Sequence, residues 1–89
     1  EIEEKEINVI DIFNKEILCF NSENFEIDKK SKLLVKSENH FPSVFYANIL
    51  DIQYEKKSIE RTKREDRIDI GIKVDKKIKK TMSFKLLSA

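Results

Sequence analysis

The chain has 89 residues, 39% of them hydrophobic and 39% charged, with a formal net charge of +1. That length sets one domain with a thin core, and the balance is too apolar for a disordered chain and too charged for a membrane span. Cys19 is the only cysteine, which excludes an internal disulfide and a cysteine-based zinc site. The chain shows no signal peptide and does not begin with Met, so it is read as a piece of a longer protein in which targeting information is missing.

Charge is unevenly spread. Residues 1–28 hold nine acids and two bases, and residues 29–89 hold sixteen bases and eight acids, so the two parts carry −7 and +8. Either the basic part meets an acidic partner, or the first strand packs beside the later ones and the signs cancel. The second reading is favoured.

In chain order, residues 1–6 (EIEEKE) read as a frayed, charged lead-in. Residues 7–20 are ambiguous. Ile10, Phe13, Ile17 and Phe20 stand at helical spacing, but Ile7, Val9, Ile10 and Ile12 are β-branched, and the expectation is a strand or strand pair. The neighbours Ile17, Leu18 and Phe20 suggest that Cys19 is buried as a small hydrophobe. Residues 21–31 form a polar connection anchored by Phe25 and Ile27, and residues 32–37 form a strand.

A polar break at Ser37-Glu38-Asn39-His40, followed by Pro42, reads as a corner before a second β-rich run. In residues 44–54 the even positions Val44, Tyr46, Leu50, Ile52 and Tyr54 are expected to face a core, with both faces covered early and one solvated late. Residues 55–66 read as a charged connection with a short strand around Ile59. RIDIGIKV (67–74) is the cleanest strand, with Ile68, Ile70, Ile72 and Val74 pointing one way. Gly71, the only glycine, marks a bulge or a close backbone approach within it. After a turn at Asp75-Lys76-Lys77, Met82, Phe84 and Leu86 alternate in a last strand, expected to form a hairpin with the preceding one.

Enzyme machinery is not visible. His40 is the only histidine, and Ser37, Ser43 and Asp51, although near it in sequence, do not make a triad on a β corner. The adjacent acids Glu3-Glu4 and Glu65-Asp66 would point to opposite faces of a strand. No phosphate-cradling glycine loop occurs, and no cofactor or metal site is expected. The remaining chemistry is basic: Lys56, Lys57, Arg61 and Lys63 in one cluster, and Lys76, Lys77, Lys79 and Lys80 in another. Such residues attract anionic lipid headgroups or phosphate backbones, and they also keep β-edges soluble. The two clusters flank RIDIGIKV, so they are expected at opposite ends of a strand and acting separately.

Residues 32–74, through LLVKSEN, PSVFYANILDIQY, KKSI and RIDIGIKV, resemble the late-embryogenesis-abundant type 2 (water-stress and hypersensitive response) domain over about half of the chain. The resemblance implies an immunoglobulin-like or fibronectin-like sandwich and a non-enzymatic module. It also implies a membrane anchor upstream of residue 1 and a role in lipid contact.

The reading is therefore a single all-β, mainly antiparallel domain of about six strands, sandwich-like, that meets an anionic lipid surface or a protein partner. The rival is a small barrel of the oligonucleotide-binding kind, in which Phe45, Tyr46, Tyr54 or Phe84 stacks bases. Outward aromatics beside lysines favour the rival; inward aromatics favour the first reading.

Overall fold

The computed structural model describes residues 3–37 and 43–88. Eight strands are found: β1 (Glu3–Glu6), β2 (Asp11–Phe13), β3 (Ile17–Asn21), β4 (Lys32–Ser37), β5 (Ser43–Tyr54), β6 (Lys57–Ile59), β7 (Asp69–Val74) and β8 (Ser83–Ser88). Every pairing is antiparallel, in the order β1-β8-β4-β5-β7-β3-β2, with β6 added to the far end of β5. The all-β expectation holds, with eight strands where about six were expected, because the short β1 and β6 and the split of residues 11–21 into β2 and β3 add to the count. The strands curl into a half-barrel and do not clearly divide into the two layers of a sandwich. The expected corner, including His40 and Pro42, lies outside the described residues.

β5 organises the molecule because it is long enough to serve two sheets. Its first half, Ser43 to Asn48, pairs with β4 and joins β1 and β8 in sheet A. Its second half pairs with β7 and β6 and joins β3 and β2 in sheet B. Sheet B carries one unbroken inward row, Ile12–Leu18–Ile72–Ile52–Ile59, in which each residue faces the next across a ladder. Leu18, Ile72 and Ile52 are fully buried there, so β-branched packing across strands holds the sheet. Ile70 and Val74 are also buried and Ile68 packs against the core, as the period of two requires.

Three expectations are corrected. Val44, Tyr46 and Leu50 are not in the core: they are 61%, 57% and 53% exposed, while Ala47 and Ile49 are buried. A register shift between Ile49 and Asp51 makes Leu50 an extra residue, and the inward parity changes from odd to even there. β8 does not form a hairpin with β7. The connection is pinned by buried Ile78, whose N–H donates to the Lys15 carbonyl, and β8 emerges between β1 and β4. Residues 3–6 are not frayed but form β1 along β8.

Local chemistry accounts for the turns and anchors. Asn14-Lys15, Glu23-Asn24 and Glu55-Lys56 all have positive φ, the pairwise signature of a type I′ turn, and none is glycine. Phe25 and Ile27 are buried as expected. Between them buried Thr62 donates its hydroxyl to the Phe25 carbonyl and accepts the Ile27 N–H, at 2.8 and 2.9 Å, stitching two loops together.

Gly71 has ordinary extended backbone, and the close-approach reading holds: a Cβ there would stand 3.2 Å from Ile17 Cγ2 and 3.6 Å from Cys19 Sγ. Cys19 itself is half-buried on the outward side of β3, because Leu18 and Phe20 take the inward positions. Burial and the nearby Asp11 carboxylate push its thiol pKa up, which disfavours the thiolate.

Candidate functional site: the lysine-framed face of sheet A

The alternation that sends Leu33 and Val35 inward sends Lys32, Leu34 and Lys36 outward. The ladders set these beside outward residues of the neighbouring strands. Leu34 lies opposite Tyr46 and Lys85, Lys32 opposite Asn48 and Leu87, and Lys36 opposite Val44 and Ser83. The outward positions of β8, β4 and the first half of β5 thus hold three lysines and no carboxylate, around an apolar centre of Leu34, Tyr46 and Val44. Among the described residues carboxylates reach this face from its two sides: at β1, where Glu4 lies opposite Leu87 and Glu6 opposite Lys85, and at Asp75, which accepts the Asn48 amide at 2.9 Å. The Lys85 Nζ is 3.9 Å from Glu4 Oε2, a loose and exposed pair. A shallow depression of about 330 Å³ runs over this face, lined by Glu6, Leu34, Lys36, Val44, Phe84 and Lys85 among others.

The basic residues expected from sequence lie elsewhere. Lys56 and Lys57 occupy the β5–β6 turn and the start of β6, Arg61 and Lys63 the connection to β7, and Lys76, Lys77, Lys79 and Lys80 the connection after β7. All eight are exposed. Because β7 runs between them, the two groups sit at its opposite ends, about 20 Å apart for six residues of strand. Part of their charge is neutralised: Lys77 reaches Glu16 at 2.6 Å and Lys80 reaches Asp11 at 2.8 Å. Those ammonium groups hold the Glu16 and Asp11 carboxyls below their ordinary pKa. With Arg64–Glu3 and Lys85–Glu4, four ion pairs among the described residues join the acidic first third to the basic remainder, so packing offsets part of the charge asymmetry.

Of the four aromatic candidates, Phe84 is buried, Phe45 and Tyr54 pack against the core, and Tyr46 alone faces outward. Tyr46 was expected only as a base-stacking candidate of the rival reading, and Leu34, Lys32, Lys36 and Lys85 were not among the expected site residues. The signal was present in the K-x-L-x-K alternation of residues 32–36, but the denser lysine runs elsewhere outweighed it.

A second apolar depression lies on the outward side of sheet B, over Gly71, where Ile10, Phe13, Ile17 and Cys19 form the walls. Its rim mixes Glu55, Asp69 and Lys56, so it has no dominant sign. No group of three or more His, Cys, Asp or Glu side chains is placed to hold a metal ion among the described residues. No helix among them is long and apolar enough to cross a membrane.

Comparisons with family models, with curated proteins and with solved structures return no match for this chain.

Proposed function

We propose that the domain is a non-enzymatic interaction module that meets anionic lipid surfaces through the outward face of sheet A. The observation that carries this reading is the cluster of Lys32, Lys36 and Lys85 around exposed Tyr46 and Val44, with no carboxylate side chain at the outward positions of β4, β8 and residues 43–48 of β5. Lysines there attract acidic headgroups, while the phenol and apolar side chains suit the headgroup boundary. Each lysine near an acidic membrane is worth about 1 kcal/mol, so three give weak, salt-sensitive binding. The loop lysines at both ends of β7 add long-range attraction.

The resemblance of residues 32–74 to the late-embryogenesis-abundant type 2 domain supports the same reading, including an anchor upstream that would hold this face near a bilayer. In that reading sheets A and B are the two layers of an immunoglobulin-like sandwich, joined through β5.

Co-sedimentation with vesicles of rising acidic-lipid content, at low and high salt, tests the proposal. Binding should rise with lipid charge, fall with salt, and be lost in a Lys32→Glu, Lys36→Glu, Lys85→Glu variant. Binding that ignores lipid charge, or that the variant retains, refutes it. A nucleic-acid reading is favoured by one observation, the outward Tyr46 framed by lysines. Tight, salt-dependent binding of single-stranded oligonucleotides without a lipid response would establish that reading instead.

A further inference from the structure

Among the described residues the sheets expose four stretches of open strand edge, and they are not alike. At β6 the edge is three residues long and begins at Lys57, too short and charged to template a partner. At β1 the edge is Glu3-Glu4-Lys5-Glu6, where charge discourages pairing. At β2 the Ile12 N–H is already taken by the Asp11 carboxylate at 2.8 Å, and Asp11 is itself held by Lys80. At the first half of β5 neither device is present. Residues 43–50 (SVFYANIL) contain no charged side chain, and Val44 and Tyr46 are exposed.

The backbone direction on this edge follows from one neighbour. The Asn48 carbonyl accepts the Asp75 N–H, and the Asn48 N–H donates to Asp75 Oδ1, so Asn48 points away from β4. Backbone groups alternate along an antiparallel strand, so those of Tyr46 and Val44 point the same way, while Ala47, Phe45 and Ser43 bond β4. β7 has left β5 by Ile49, and no hydrogen bond to the outer groups of Val44 or Tyr46 is formed among the described residues. The open stretch runs over residues 43–47. It ends at Asn48, closed by Asp75, and in sequence at Pro42, which has no N–H to donate.

We propose that a second copy of the chain fills this edge, the two β5 strands pairing antiparallel about Phe45. The stretch is self-complementary in that register. Val44 exchanges both backbone hydrogen bonds with the partner's Tyr46, and Tyr46 with the partner's Val44. On the outward face these become aromatic–β-branched cross-strand pairs, a favoured combination. Phe45 meets the partner's Phe45 on the inward side.

Like charges do not meet. The outward rows continue as Lys85–Leu34–Tyr46, then the partner's Val44 and the partner's Lys36, so apolar side chains separate the lysines. An isologous pair of this kind closes on itself and uses up the β5 edge of both copies, leaving only the charged or capped edges at β1, β2 and β6. The two-fold axis stands perpendicular to the sheet, so both lysine-framed faces lie on one side of the dimer. Pairing does not depend on the lipid reading, but it would double that face and raise avidity for any anionic surface.

Analytical ultracentrifugation of the purified domain over a concentration series, without lipid, tests the inference. Mass should rise from 10.6 kDa toward twice that value as concentration increases. Tyr46→Lys puts a charge on the edge at an already exposed position; it should weaken association at least about tenfold while leaving the thermal melt unchanged at concentrations where both proteins are monomeric. In a Cys19→Ser background, Phe45→Cys should cross-link as a dimer on mild oxidation, because a non-hydrogen-bonded antiparallel pair brings Cα atoms to about 4.5 Å. A domain that stays monomeric at about 1 mM, an assembly that Tyr46→Lys leaves intact, or growth beyond the dimer would overturn it. The Tyr46→Lys result decides the matter even where Phe45→Cys fails to fold.

Discussion

Sheets A and B share β5 but use it differently. In sheet B the strand has neighbours on both sides: Ile52 is buried in a five-residue apolar row, and Asp51 accepts the Ile52 N–H, the Ser58 hydroxyl and the Gln53 amide. In sheet A the same strand has one neighbour, and Val44 and Tyr46 face outward among lysines. The residue types of the two halves are similar, so neighbours and register decide burial, not hydrophobicity. Sheet B buries its share of β5 on both sides, while sheet A leaves one side of it open, and the proposed contact uses that difference.

The hardest test of that contrast is a charge in the sheet B row. Ile72→Asp should unfold the domain, because an unpaired buried charge costs several kcal/mol against a total stability of about 5–15 kcal/mol. Loss of the β circular-dichroism spectrum at room temperature would register it. A folded, cooperative variant would mean that the row is not the core.

Next in size is deletion of Leu50. The register shift at this residue sets the inward parity of each half of β5, so removing it forces one half to turn its apolar set outward. A loss of about 2–4 kcal/mol in denaturant melts is expected, comparable to losing a buried side chain. An unchanged midpoint would show that the bulge does not set the faces.

Glu55→Asn combined with Lys56→Gly should act in the opposite direction. Both residues hold φ values of 50° and 66°, a left-handed conformation that costs about 1–2 kcal/mol per ordinary residue. Asn-Gly suits that turn, and the melting temperature should rise by several degrees, by an amount that depends on domain size. No rise would mean that the turn relaxes at little cost.

Acid should weaken sheet contacts modestly. The Asp75 carboxyl is held below its ordinary pKa by the Asn48 backbone N–H and amide, and Asp51 by Gln53, Ser58 and the Ile52 N–H. A depressed folded-state pKa stabilises the fold above the unfolded value of about 4 and is lost as pH falls through the folded value. Urea midpoints should therefore drop below about pH 4, and Asp75→Asn should flatten that dependence.

Much of this was legible in the chain. RIDIGIKV declared its inward face, Phe25 and Ile27 stood out as apolar anchors in a polar stretch, and the opposed charges of the two parts implied packing between them. The faces of β5 were not legible, since strict alternation through SVFYANILDIQY conceals a one-residue bulge that only a partner strand reveals. Nor was the neighbour of β8: local sequence suggested β7, while burial of Ile78 carries the connection across the molecule. The lysine-framed face escaped notice because its members come from residues 32–36, 44–46 and 85 and meet only through the ladders.

The proposed function assigns contact with the anionic surface to sheet A and not to the lysine loops. Residue-resolved NMR of the isotope-labelled domain, titrated with bicelles of neutral and then acidic lipid, tests it most directly. Acidic bicelles should shift the amide signals of Lys32, Leu34, Lys36, Tyr46 and Lys85, with smaller changes at Lys76 to Lys80 and none with neutral lipid. Shifts confined to residues 56–63 and 76–80, or equal shifts with both lipids, would contradict the account.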